Sequence, residues 1–290
     1  MKLHIRLIAI AGLTVVLVVA LTLYIWHEEH RPPILEIYVF NMQSGRSMFI
    51  RTPEDNRILI DGGGNSDIIR DLTDILPFYS RRIDVVMTTN TDGKNVAGLI
   101  DVVSRYHVRR AYIPAVTLQG LGLASSTDQI YATFLETLSR EKIPVEEIRK
   151  DYQIALDTKV NLTVLFPTTD STFIYSKASA PELLFKINYD ASSVVFIGDA
   201  SIKVQKFLSS TTKIADVLLS DQSALPINYA QSLIEELQPA YLIYSAKSFP
   251  HSKKKIIDPL IGIAEKNRFN IKKGTVRITS DGQTLRVEQF

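Results

Sequence analysis

The chain has no cysteine, five histidines and one tryptophan among its 290 residues. Without a thiol it can form neither a disulfide nor a thiolate metal site, so any metal must be held by imidazole and carboxylate. Histidine is thinly spread for that purpose: His4, His27 and His30 flank an N-terminal apolar segment, leaving His107 and His251 for the rest of the chain. Charge of one sign is also lacking. The 33 Lys and Arg exceed the 31 Asp and Glu by two, so no global field draws the protein to nucleic acid or steers an acidic substrate. Low-complexity stretches and internal repeats are absent as well, and with 46% hydrophobic and 22% charged residues the chain can bury a full core.

What stands out first is residues 7–26, a run of 20 residues without a charge. At about 1.5 Å per residue, a helix of that length covers the roughly 30 Å hydrocarbon core of a bilayer. Lys2 and Arg6 precede it, and Glu28, Glu29 and Arg31 follow. The positive-inside bias therefore predicts a single-pass anchor in the cell membrane, with the N-terminus cytoplasmic and the remaining chain outside. A cleaved signal peptide, the alternative, has an apolar core of about 7–15 residues and a small-x-small site, whereas this run ends Leu-Tyr-Ile-Trp. Pro32-Pro33 cannot continue a helix, which divides the chain into an anchor and linker over 1–33 and one domain over 34–290.

Within that domain short apolar runs alternate with amphipathic ones. Strands are expected at 34–40, 47–51, 57–60, 83–88, 110–113, 145–148, 153–156 and 161–166 in the first half. In the second they are expected at 183–188, 193–197, 217–219, 240–244, 276–279 and 284–288. Helices are expected at 65–77, 96–106, 128–141 (capped by Ser126 or Thr127), 203–208, 231–237 and 254–266. This order fits an α/β (α+β) sandwich of two sheets with helices on their outer faces.

Several stretches then carry a resemblance. Asn41-Met42-Gln43-Ser44-Gly45-Arg46-Ser47, followed by Ile58-Leu59-Ile60-Asp61-Gly62-Gly63-Gly64, resembles the start of the metallo-β-lactamase-like domain of the competence DNA-channel proteins of the ComEC/Rec2 family. There the pattern is an Asp-Val-Gly-Gln-Gly-Asp turn and an Ile-Asp-Gly-Gly strand end. Residues 89–99, Thr-Asn-Thr-Asp-Gly-Lys-Asn-Val-Ala-Gly-Leu, fall where that family has Thr-His-Pro-His-Ala-Asp-His-Ile-Gly-Gly-Leu. Residues 193–199 are similar to its strand ending in Gly-Asp, and 215–218 to the strand before its His-His-Gly, with Gln222 and Ser223 in the histidine places. Residues 249–252 resemble a late element containing His-Pro, and 279–282 its closing turn. The resemblance implies a four-layer αββα metallo-β-lactamase-like sandwich over about 34–287. It also implies a vestigial site at Asp61, Asn90, Asp92, Lys94, Asn95, Asp199, Gln222 and His251.

The chemistry of those residues departs from the family's. Zinc hydrolysis needs neutral imidazoles and carboxylates about 2.0–2.2 Å from the ion. Here the four positions of the metal loop read Asn90, Asp92, Lys94 and Asn95: an amide is a poor ligand, and an ammonium repels a dication. No metal or other cofactor and no catalysis are therefore expected, and two readings of Lys94 stand side by side: an ammonium in the space of the missing metal beside Asp199 and Asp92, or a solvated loop lysine. The alternative is one Zn or Mn ion on Asp92, Asp199 and His251, serving a phosphodiesterase-like or nuclease-like hydrolase.

Other motifs carry less. Asp61 with Gly62–Gly64 lacks the Lys-Ser/Thr ending of a P-loop. Lys253–Lys255, Lys272-Lys273 and Arg81-Arg82 are short runs that read as solvated faces. His107 reads as a structural histidine at a helix end, and no Gly-x-Ser-x-Gly elbow occurs. The expected partners are the membrane, through residues 7–26, and an envelope protein or nucleic acid. The small-molecule ligand is not specified by sequence.

Overall fold

The structure, a computed structural model, describes residues 2–29, 33–77, 79–115, 126–168, 182–221, 229–245 and 262–290. Helix α1 (Lys2–Glu29) covers the whole uncharged run and extends past both of its ends. Its side chains at Ile10, Leu13, Val16 and Leu17 are 60–63% exposed. Among the described residues no helix is long and apolar enough to cross a membrane. On α1 the described side chains are those of 10–23 and Trp26, fewer than the about 20 that a crossing takes.

The first sheet contains β1 (Leu35–Val39), β2 (Met48–Arg51), β3 (Arg57–Ile60), β4 (Arg82–Met87), β5 (His107–Pro114), β6 (Val145–Ile148), β14 (Val276–Ser280) and β15 (Leu285–Gln289). Its order is β15-β14-β1-β2-β3-β4-β5-β6. The second contains β7 (Gln153–Ala155), β8 (Val160–Phe166), β9 (Leu184–Tyr189), β10 (Ser192–Gly198), β11 (Val217–Ser220), β12 (Tyr241–Tyr244) and β13 (Arg268–Asn270), in the order β13-β12-β11-β10-β9-β8-β7. β3 to β6 run parallel, so their C-terminal ends share one rim of the sandwich. β1 is held on one side by β2 and on the other by β14, where Ile37 faces Ile278.

Strand alternation creates the layers. Ile37, Ile50, Ile58 and Ile60 of the first sheet meet Leu162, Val164, Phe185, Phe196 and Leu219 of the second in the central core. The intervening Phe49 and Leu59 face outward, under α2 (Asp67–Ile75), α3 (Gly93–Arg105) and α4 (Ser126–Arg140), where Leu72, Leu99 and Phe134 are fully buried. On the far side Val195, Ile197 and Leu218 pack against α5 (Ile202–Thr211) and α6 (Gln231–Leu237). Full burial of one such side chain stabilises the fold by about 1.5–3 kcal/mol, and the result is the expected four-layer αββα sandwich.

Two expectations need correction. The described end of the helix expected over 254–266 is a single 3-10 turn, Glu265–Asn267, leading into β13, and the rest of that span lies outside the described residues. Ser126 and Thr127 lie within α4, whose first residue is Ser126, so neither precedes it as a cap. His107 does follow the end of α3, as the exposed first residue of β5.

Candidate functional site

Three turns meet at the C-terminal rim of the parallel strands. The β1–β2 turn approaches the start of α3 so closely that a Cβ on Gly45, at φ +71°, would lie 1.8 Å from the Lys94 carbonyl oxygen. The next residue, Arg46, is buried, with only 8% of it exposed. After β3 the chain places Asp61, fully buried and left-handed at φ +57°, a strained backbone state held by its surroundings. Its Oδ1 accepts from the Thr89 amide at 2.8 Å and its Oδ2 from the Thr89 hydroxyl at 2.6 Å.

Arg46 organises the site. Its Nε donates to Asp61 Oδ2 at 2.7 Å and its Nη2 to Thr89 Oγ1 at 2.5 Å. Its other contacts come from the second sheet: Nη1 bonds Asp221 and Nη2 ion-pairs with Glu182. The Cζ stands 5.1 Å from the centroid of the Phe196 ring. One guanidinium thus serves three carboxylates, two of them from the opposite sheet. Beside it a cavity of about 10 Å³, lined by Arg46, Asp61, Thr89, Phe196 and Asp221 among others, leaves room for one water at most.

The electrostatics follow from burial. Desolvation opposes the charge on Arg46, but Asp221, Glu182 and Asp61 outweigh it and hold the guanidinium protonated. Burial pushes Glu182 well above the ordinary glutamate value; Arg46 opposes that shift, while Asp199 and Asp221 add to it. Asp61 is raised too, by burial, against the lowering effects of Arg46 and Thr89. Glu182 Oε2 accepts from the Asp199 amide at 3.0 Å. Its Oε1 meets Arg46 as an ion pair without hydrogen-bond alignment.

Of the expected residues that are described, Asp61 is the one whose side chain pairs with Arg46. Asn90, Asp92, Lys94 and Asn95 form the N-terminal turn of α3, which starts at Gly93 rather than Val96. Asn90 Oδ1 accepts from the Asp92 amide and from Asn95 Nδ2, both at 3.0 Å, and Asp92 caps the helix by accepting from the Lys94 amide at 3.1 Å. Of the two readings of Lys94 the structure matches the solvated one and corrects the metal-replacing one: its side chain is 55% exposed and pairs with Asp92 at 3.0 Å at the surface, because the helix start turns it outward. Asp199 is exposed; its backbone amide donates to Glu182, and its carboxylate adds to the upward shift of that glutamate. Gln222 and His251 lie outside the described residues.

A resident zinc pair of the family type does not fit these residues. Among the described residues no group of three or more His, Cys, Asp and Glu could hold a metal ion. The three carboxylates that do converge are bound to a cation of this chain's own. A dication about 2.0–2.2 Å from the same oxygens would need the space that the guanidinium fills.

Arg46, Glu182, Asp221 and Thr89 are the residues that sequence reasoning missed. A signal existed for the first: Arg46 falls where the family's turn ends in Asp, a reversal of charge. Glu182 and Asp221 have none, since Asp221 lies 175 residues from its partner.

No sequence profile of a protein family matches the chain, and no curated protein does. Solved structures resemble it in backbone arrangement. The metallo-β-lactamase fold protein YhfI from Bacillus subtilis is 14% identical over 81% of this chain and 96% of that one, with a TM-score of 0.49. Zn(2+)-bound PqqB from Methylobacterium extorquens is 13% identical over 69% of this chain and 74% of that one, also at 0.49. A mutant of the CmlA β-hydroxylase is 16% identical over 74% of this chain at a TM-score of 0.49, and the chain spans 46% of that protein's length. At these levels no activity, metal or partner passes from them to this chain.

Proposed function

We propose that the chain is a membrane-tethered, extracytoplasmic domain of metallo-β-lactamase-like architecture that has lost metal-dependent hydrolysis and works as a binding or scaffolding module. One observation carries this reading: the Arg46 guanidinium occupies the convergence of Asp61, Glu182 and Asp221. That point is framed by 41–47, 58–64 and 89–99, the stretches that resemble the ComEC/Rec2 domain. A fixed cation neutralises carboxylates that would otherwise be buried without a counter-charge. Tethering is supported by the uncharged run over 7–26, carried on a 28-residue helix. The setting proposed with it is the outer side of the cell membrane, beside DNA uptake or envelope processes, with an envelope protein or nucleic acid as partner.

The rival reading is a phosphodiesterase-like hydrolase with one Zn or Mn ion on Asp92, Asp199 and His251. In that set Asp92 already caps α3 and pairs with Lys94, so a metal would have to displace both contacts.

Elemental analysis separates the two readings. The full chain, incubated with excess Zn or Mn and desalted, should retain far less than one ion per molecule and leave a chromogenic phosphodiester intact. Stoichiometric metal that disappears in Asp199→Ala, together with chelator-sensitive turnover, would overturn the proposal. Extraction of membranes with alkaline carbonate tests the tether, which predicts that the chain stays in the pellet.

A further inference from the structure

We infer that a second cleft, at the opposite end of the strands from Arg46, binds a small organic anion: a carboxylate or phosphate ester on a short apolar body. The cleft measures about 260 Å³ and opens between the starts of β3, β4 and β5 and the edge strand β7. Ile58 and Val85, paired in register, line it from the first sheet, and Ile154 and Leu156 from the second. Val85 lies four residues before Thr89, roughly 13 Å at a strand's rise per residue, so the two sites are separate.

The rim determines the charge of the ligand. Arg109 and Arg110 line the cleft with side chains 74% and 53% exposed. Arg109 is steered there by the buried carboxylate of Asp84, whose Oδ1 accepts from its Nη1 at 3.3 Å. The other Asp84 oxygen accepts from the Arg57 amide at 3.0 Å and faces Arg82 Nε at 3.4 Å. Arg110 lies over the Tyr112 ring at 5.9 Å, donates from Nη1 to the Tyr112 hydroxyl at 3.2 Å and stands 3.6 Å from Glu146. In these polar contacts each of the two arginines uses only Nη1, of the five N–H donors a guanidinium carries, which leaves capacity for bidentate capture of an acid.

Size and wall chemistry set the remainder. Ligand pockets usually measure about 300–1,000 Å³, so this cleft suits a small molecule or one end of a longer one. Aliphatic walls below two guanidinium groups match an acid with a short hydrocarbon body better than a bare ion.

Calorimetric titration of the full chain in phosphatidylcholine nanodiscs tests the inference. Hexyl phosphate and hexanoate should bind at least tenfold more tightly than hexanol, hexyltrimethylammonium or inorganic phosphate. The double variant Arg109→Gln/Arg110→Gln should weaken hexyl phosphate at least tenfold. Glu146→Gln, which frees Arg110 from its acidic neighbour, should tighten it severalfold. Competition from nanodiscs doped with phosphatidic acid would identify a membrane lipid as the source of the anion, and its absence a soluble acid. No binding of either acid, unchanged affinity in the double variant, or inorganic phosphate binding as well as hexyl phosphate would overturn the inference. None of these readouts depends on metal or on Arg46.

Discussion

Arg46 Nε lies 2.7 Å from Asp61 Oδ2, and the same guanidinium reaches across the sandwich to Glu182 and Asp221. A single side chain therefore joins the two sheets electrostatically at the rim where the parallel strands end. A buried ion cluster of this kind adds little stability over a well-packed apolar one, but losing one member leaves charge stranded.

Arg46→Met should accordingly lower stability by about 3–5 kcal/mol, the usual penalty for breaking a buried pair. Arg46→Lys should recover only part of it, because one ammonium cannot reproduce the planar fork that serves Asp61, Asp221 and Glu182 together. Urea denaturation followed by circular dichroism measures both; equal stability of the Met variant would remove Arg46 as the central element.

The pH dependence has a definite sign. Glu182 and Asp61 bind protons more tightly folded than unfolded, so their contribution is fully present below the ordinary carboxylate values of 4.5 and 3.8 and is lost as pH rises through the folded values. Glu182→Gln should therefore gain stability relative to the parent as pH increases from 5 to 8. A stability difference that stays constant across that window would contradict the assignment.

Two substitutions in the α3 turn should separate cap from surface charge. Lys94→Ala removes an exposed ion pair and should cost roughly 0–1 kcal/mol. Asp92→Ala removes the helix cap and should cost more, about 0.5–2 kcal/mol. Thermal melts of both variants decide the order. A large loss in Lys94→Ala would restore the buried-lysine expectation.

Gly198→Ala should be among the worst small substitutions in the domain. Gly198 has φ +48°, and an added Cβ would fall 2.2 Å from Glu182 Oε2. Left-handed backbone alone costs an ordinary residue roughly 1–2 kcal/mol, and the carboxylate would have to move as well. A loss above about 2 kcal/mol is expected, measured against Gly262→Ala, whose Cβ meets nothing within 4 Å.

The layers were legible because alternation on β2 and β3 assigns Ile50, Ile58 and Ile60 to one core and Phe49 and Leu59 to another. β13 was not: three half-buried residues, paired only with β12, offer no periodicity to read. At the site, Asp92-Gly93-Lys94-Asn95 carries a helix-cap signal that the likeness to a metal loop obscured, and so Lys94 drew the attention due to Arg46. The carboxylates around Arg46 come from distant stretches of chain, and no local pattern announces a contact across 175 residues.

The pairing of β1 with β14 has a consequence for biosynthesis. Ile37 gains its neighbour Ile278 only after the intervening stretch of chain has emerged from the ribosome, so the first sheet stays incomplete until that stretch has been made. Until then one flank of β1 stays bare, and a nascent domain truncated before residue 276 would expose a sticky strand edge to other chains.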